Sequence, residues 1–397
     1  MSPTAAAVPR AQRILVRGVN WLGDAVMTSP ALQRLREALP GAHITLLTQE
    51  KLVELWRGHP SVNAVIPFSR DEGPWGVSAR LRAQAFDTAL VFPNSPRSAL
   101  EVWLARIPQR VGYRRPWCSW LLTQPVPERP GKLHMSKRTV RKVQQLVAAE
   151  QRPFNHKEHQ EHKEPGGVVH QIHDYLHLAA LLGASAEPIA PRLEVSAAEV
   201  GQANQTFLSA WLSKHPVTAG DAVILGLNPG AEYGPAKRWG AEKFAAVARE
   251  VSGRVGNCVW LVFGGAGDRA LCEEIVGSAG GRVLNLAGRT SLRQLMALLK
   301  LCRVVLTNDT GPMHVAAALG TPVVVPFGST SPELTGPGLP GDTRHRLLKA
   351  SVPCSPCFLR ECPIDFRCMA GIRVPDVVDA VLRELGPEVR LNPRAAD

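Results

Sequence analysis

The chain has 397 residues, which suits two domains and allows three. Hydrophobic residues make up 45% and charged residues 20%, ordinary values for a globular protein, so disorder along the whole chain is excluded. The net charge of +12 is uneven: residues 1–195 hold 25 Lys and Arg against 16 Asp and Glu, a net of +9, which suits an anionic partner (nucleic acid, anionic lipid or a phosphorylated substrate), with a merely basic surface as the plainer reading.

Ile14–Gly18 reads as a buried strand, followed by a turn and a helix from about Asp24 to Leu39 that Pro40-Gly41 stops. His43–Thr48, Ala64–Pro67 and Thr88–Phe92 read as further strands, with helical patterns at Lys51–Arg57 and Trp75–Gln84. This β-α-β-α rhythm implies a parallel sheet covered on both faces. The pattern fails between Gln151 and Gly167, where His156–Glu164 is charged and has no apolar face, so an exposed insertion is expected. His156, His159 and His162 stand three apart and could hold a metal on a helix, but nothing apolar would anchor that helix. His170–Gly183 is helical again, and the prolines at 188 and 191 mark a linker over 187–200.

The rhythm then restarts. Strands are expected at Ala222–Leu227, Val259–Phe263, Val283–Leu286, Val304–Thr307 and Pro322–Val325. Helices are expected at about Ala241–Ser252, Asp268–Ser278, Ser291–Lys300, Gly311–Leu319 and Asp376–Leu385. The expected domains are 1–186 with a charged insertion at 151–167, a linker at 187–200, a second domain over 201–374, and a C-terminal segment 375–397 free to cross back to the first domain. Two doubly wound domains face to face would place a ligand in a cleft at the carboxyl ends of the strands. No apolar stretch reaches the length of a membrane span, and Met1–Arg13 lacks the apolar core of a secretory signal.

Four segments carry chemistry. Gly18-Val19-Asn20-Trp21-Leu22-Gly23-Asp24 joins the first strand to the first helix, where glycines permit a tight turn and Asp24 could cap the helix or act as a general base. Asn228-Pro229-Gly230 closes the first strand of the second domain and leads to Lys237-Arg238-Trp239, which suits a diphosphate, or is a basic surface turn. Gly265, Gly267 and Ala270 fit G-x-G-x-x-A after an apolar strand, but Asn285 stands where a dinucleotide site needs an acid, so NAD is poorly supported. Asn308-Asp309-Thr310-Gly311-Pro312-Met313-His314 ends a strand and opens a helix, an anion site in which Asp309 could bind sugar hydroxyls and His314 could add a donor. No P-loop motif occurs. Four of the eight cysteines form C-x2-C-x4-C-x5-C at Cys354, Cys357, Cys362 and Cys368, which could close a structural zinc site or remain reduced thiols.

Taken in order, these segments resemble the ADP-heptose:lipopolysaccharide heptosyltransferases, glycosyltransferase family 9. The matching stretches are Ile14–Met27, Lys237-Arg238-Trp239, Asn308–Pro322 and Gly328–Pro332. The Trp-Leu-Gly-Asp form and the C-terminal cysteines are most similar to the heptosyltransferase II group. The resemblance implies a GT-B fold, with two Rossmann-like doubly wound domains facing a central cleft. It implies inverting, metal-independent transfer of heptose from ADP-heptose to Kdo-bearing lipid A at the inner face of the anionic inner membrane, with no nucleic acid partner. Asp24 would be the base and Lys237 would stabilise the leaving ADP, making these the catalytic residues. Asn228, Gly230, Lys237, Arg238, Gly264, Asp268, Asp309, Thr310, Gly311 and His314 would bind the donor, and Asn20, Trp21 and Gly23 the acceptor. The alternatives are another member acting at a different heptose, a nucleotide-sugar epimerase of similar fold, and a non-catalytic protein that binds anionic ligands.

Overall fold

The computed structural model describes residues 12–150, 169–215, 222–339, 341–387 and 389. The His-rich run 156–164 lies outside them. The described chain divides into two compact units, one of residues 12–132 with 169–194, the other of residues 133–150 with the remainder from 195.

The first unit is built on β1 (Arg13–Arg17), β2 (His43–Gln49), β3 (Ala64–Phe68), β4 (Thr88–Val91), β5 (Gln109–Tyr113) and β6 (Gln124–Val126). All pairs are parallel, in the order β3-β2-β1-β4-β5-β6. Ile14, Leu15 and Val16 of β1 are fully buried, as a central parallel strand covered on both faces requires. Its helices are α1 (Leu22–Met27), α2 (Ser29–Ala38), α3 (Pro74–Arg82) and α4 (Pro96–Leu104). In chain order α5 (Val140–Glu150) follows, and then α6 (Ile172–Ala180), which packs on α2. The single helix expected over 24–39 is two. The Thr28 hydroxyl donates to the Ala25 carbonyl at 2.7 Å, and Pro30, which has no N–H, falls in the first turn of α2.

The second unit contains β7 (Val223–Asn228), β8 (Cys258–Val262), β9 (Val283–Asn285), β10 (Val304–Thr307), β11 (Val323–Phe327) and β12 (Arg346–Lys349). Its parallel order is β12-β11-β10-β7-β8-β9. Around the sheet lie α7 (Ala197–Ala203), α8 (Ala210–Leu212), α9 (Ala241–Arg254), α10 (Arg269–Ala279) and α11 (Leu292–Leu301). They are followed by α12 (Gly311–Ala318), α13 (Pro332–Thr335), α14 (Arg367–Ala370) and α15 (Val374–Leu385).

Counted from its own first strand, each sheet has the order 3-2-1-4-5-6. The winding direction reverses between β1 and β4 in one unit and between β7 and β10 in the other. In doubly wound sheets this switch point opens a crevice at the carboxyl ends of the strands, where ligands bind.

Two boundaries differ from the sequence reading. Residues 133–150 pack with the second unit, not with a first domain running to 186. Val143 and Val147 of α5 are buried against Cys354 and Cys357, and Arg138 Nη1 donates to the Pro353 carbonyl at 2.7 Å. The C-terminal helix α15 likewise stays with the second unit, packed on α9, β10 and β11. Its apolar stripe, Val377, Val378, Val381 and Leu385, belongs to that core.

Candidate active site

Each switch point holds one of the chemical segments. In the first unit, Gly18 leaves β1 with its amide bonded to the Leu47 carbonyl at 2.9 Å. A Cβ there would sit 3.2 Å from that oxygen, so the turn hugs β2. Arg17, 1% exposed, pairs with the fully buried Glu101 at 2.8 Å. Arg97 binds the other Glu101 oxygen at 2.8 Å. Burial pulls the Arg17 pKa down, and Glu101 opposes that pull. Arg17 Nη1 also donates to the Gly18 carbonyl at 2.5 Å and to Asn20 Oδ1 at 3.4 Å, which fixes the loop in place.

Trp21 is the N-cap of α1, so Asp24 is its third residue and not its cap. Trp21 is 44% exposed, with the Lys51 ammonium 5.6 Å from its ring centre. Gly23 and Asp24 are half-buried. The Gln171 amide, just before α6, donates to Asp24 Oδ1 at 3.4 Å and to the Tyr175 hydroxyl at 2.8 Å. Burial, then the Asp24 charge, push the Tyr175 pKa well up, so this hydroxyl stays protonated beside the carboxylate.

In the second unit, Lys237 Nζ binds Asp309 Oδ2 at 2.6 Å, and the Thr330 hydroxyl donates to the same oxygen at 2.5 Å. Both Asp309 and Thr330 are buried. Lys237 Nζ lies 5.0 Å from the centre of the Tyr233 ring. Asn228 Nδ2 donates to the Thr307 hydroxyl at 3.2 Å, and Asn308 Nδ2 to the Pro229 carbonyl at 2.7 Å, which stitches β7 to β10 across the switch point. Thr310 is the N-cap of α12 without a side-chain bond to the helix, Gly311 is its first residue, and His314 is buried in its first turn. That helix end offers the positive side of the dipole beside the Lys237 ammonium.

Three glycines and one carboxylate share the neighbouring crevice. Asp268 accepts from the Gly265 amide at 3.0 Å. A Cβ at Gly230 would fall 2.6 Å from Asp268 Oδ2, and one at Gly264 would fall 2.9 Å from Asp268 Cβ. Arg238 approaches Asp268 only at 3.9 Å and is half exposed.

Asp24, Asn20, Trp21 and Gly23 thus gather in the first unit, and the donor-side residues expected from sequence gather in the second. Sequence reading missed Gln171, Tyr175 and the role of Thr330. Thr330 did sit at a strand end beside β10, which was a usable signal. Gln171 and Tyr175 come from a helix 147 residues away from Asp24, and no local pattern points to them.

Of the two readings left open for the cysteine segment, a zinc site or reduced thiols, the structure does not support the zinc site. Among the described residues no group of three or more His, Cys, Asp or Glu is arranged to hold a metal ion. Cys354 and Cys357 pack against α5, and Cys368 belongs to the core under α15. Burial first, then neighbouring thiols, push Cys368 up to about 11, so its thiol is neutral near pH 7. Short spacing placed the four close in sequence, but three of the side chains are committed to apolar packing.

Residues 147–366 match the profile of glycosyltransferase family 9 (heptosyltransferase). Lipopolysaccharide heptosyltransferase 2 of Salmonella typhimurium is 31% identical over 337 residues, covering 82% of this chain and 85% of that one. The chain belongs to glycosyltransferase family 9. The structure of E. coli ADP-heptose lps heptosyltransferase II superposes with a TM-score of 0.71 at 26% identity, covering 94% of this chain and 98% of that one. A family 9 glycosyl transferase of Veillonella parvula gives 0.72 at 22% identity, covering 95% and 99%, and supports the fold. The chain is therefore a glycosyltransferase of GT-B fold, related to heptosyltransferases of type II.

Proposed function

We propose that this family 9 enzyme transfers heptose from ADP-heptose, with inversion, to the Kdo-bearing inner core of lipid A, and that it adds the second heptose. The observation that carries the reading is the Lys237–Asp309–Thr330 cluster beside the N-terminus of α12. It holds a cation where a diphosphate leaving group would gather charge. The likeness to proteins named heptosyltransferase 2 supports the choice of donor and acceptor position.

In this mechanism Asp24 takes the proton of the acceptor hydroxyl as its oxygen attacks the anomeric carbon. The bond from that carbon to the diphosphate breaks, and its electron pair leaves with ADP. Lys237, the amides at Gly311 and His314 stabilise that charge without a metal ion, Asp309 hydrogen-bonds heptose hydroxyls, and Asp268 lies at the adenosine ribose. Asn20, Trp21 and Gly23 line the acceptor side. Among the described residues no helix is long and apolar enough to cross a membrane. In this reading the lipid-linked acceptor is met from the surface of the inner membrane.

Replacing Asp24 by Ala or Asn tests the assignment. Transfer should fall by about 10^3-fold or more while ADP affinity, read by calorimetry, changes little. Near-normal transfer by either variant removes Asp24 as the base.

A further inference from the structure

Among its described residues the first unit exposes five tryptophans, and besides Trp21 and Trp75 three of them fall on α4 and in the turns after β5. Trp103 on α4, and Trp117 and Trp120 in the turns after β5, are 41%, 81% and 68% exposed. The rings of Trp103 and Trp120 meet edge to face at 5.9 Å. Tryptophans this exposed, two of them in contact, form an apolar patch of the kind that marks an interaction site.

The charge along this stretch is mainly basic, and the acid just beyond it, Glu128, is half-buried and paired with Arg115 at 2.7 Å. Residues 96–127 contain five arginines, Arg97, Arg106, Arg110, Arg114 and Arg115, against one acid, Glu101. Glu101 is fully buried between Arg17 and Arg97 and presents nothing to the surface. Arg106 and Arg114 are exposed. Arg82, also exposed, reaches the Leu104 carbonyl at 2.7 Å, next to Trp103.

We propose that this face, Trp103, Trp117 and Trp120 flanked by Arg82, Arg106 and Arg114, seats the enzyme on an anionic lipid bilayer. Indole rings settle at the boundary between headgroups and acyl chains, with the ring in the apolar layer and the N–H in the wet one. Arginines around them meet anionic headgroups, each adding a surface attraction that salt screens. Neither part suffices alone: the rings supply depth and the arginines supply selectivity for an anionic surface. The proposal rests on the reading of a lipid-linked acceptor and specifies which surface of the chain meets the lipid.

The test uses the full chain and vesicles of phosphatidylcholine, with or without phosphatidylglycerol, and no acceptor present. The wild-type protein should float with the anionic vesicles and release them at high salt. Brominated lipids should quench its tryptophan emission. The triple variant Trp103→Ala, Trp117→Ala, Trp120→Ala should partition about tenfold less and lose the quenching, and Arg106→Glu with Arg114→Glu should abolish selectivity for anionic vesicles. Transfer to a deacylated, water-soluble acceptor should be unchanged in these variants, which shows that they fold and separates this proposal from the assignment of function. Wild-type protein that ignores anionic vesicles, or a triple variant that binds them like wild type, overturns it. So does a triple variant whose only change is loss of self-association in sedimentation, which would give the face to a second copy.

Discussion

Lys237 and Asp309 hold each other at 2.6 Å, with Asp309 buried and Lys237 only slightly exposed. A buried carboxylate that loses its cation keeps its desolvation cost without compensation. Lys237→Ala should therefore lower donor affinity and turnover together, by about 10^2-fold or more in kcat/KM, because it removes charge from the leaving group and leaves Asp309 unpaired. Steady-state kinetics with ADP-heptose, beside ADP calorimetry, reads both effects, and unchanged kinetics would take Lys237 out of the phosphate site. Glu101 is a matching case in the first unit, since it pairs with Arg17 and Arg97 at once. Glu101→Ala should destabilise the first unit by about 3–5 kcal/mol, seen as a lower midpoint in thermal unfolding.

His59 gives a pH test at the same scale. It is buried beside Trp56, and burial lowers its pKa to about 4 from 6.5. The folded pKa lies below the unfolded one, so between pH 6.5 and 4 the unfolded chain binds the extra proton and folding weakens as pH falls. The loss should reach about 3 kcal/mol by pH 4. His59→Asn should flatten that part of the stability–pH curve. A variant with the same acid sensitivity as wild type would show that another group is responsible. Residue types were the part of the site most legible in the sequence: Asp24, Lys237 and Asp309 stand in the segments that follow β1, β7 and β10, where charge has to be explained. Arg17 was also visible as a charge inside an apolar strand, but its partner Glu101 lies 84 residues on and was not.

At the scale of elements, strands buried on both faces were read well because continuous apolar runs such as Ile14–Val16 and Val304–Leu306 have few other meanings. Strands β5, β6 and β12 escaped notice. They include Gln109, Arg110, Gln124, Arg346 and Lys349, and β6 and β12 are sheet edges, where polar residues discourage pairing with other chains. The break between α1 and α2 was written in Pro30 but was overridden by the helical period around it. The loop after β7 carries its own test. Gly230 faces the Asp268 carboxylate so closely that any Cβ must displace it. Gly230→Ala should raise the KM for donor about tenfold with little change in kcat, since the loop and not the base Asp24 is disturbed. A fall confined to kcat would instead tie Asp268 to the chemical step.

At the scale of the molecule, the doubled β-α rhythm announced two parallel sheets, and both adopt the same strand order. The assignment of residues 133–150 was not legible, because α5 is an ordinary amphipathic helix and sequence order favoured the nearer domain. Its partner surface, around Cys354 and Cys357, lies some two hundred residues downstream. The excess of basic residues, +9 in positions 1–195, suits an anionic partner, which under the proposed function is the phosphorylated glycolipid acceptor. The most direct measurement is the mass of the product formed by the purified full chain from ADP-heptose and defined lipid A cores with no heptose or with one. One heptose added to the one-heptose core, with release of one ADP, is the predicted result. Transfer only to the heptose-free core, or ADP-heptose left unconsumed with both cores, would contradict the account.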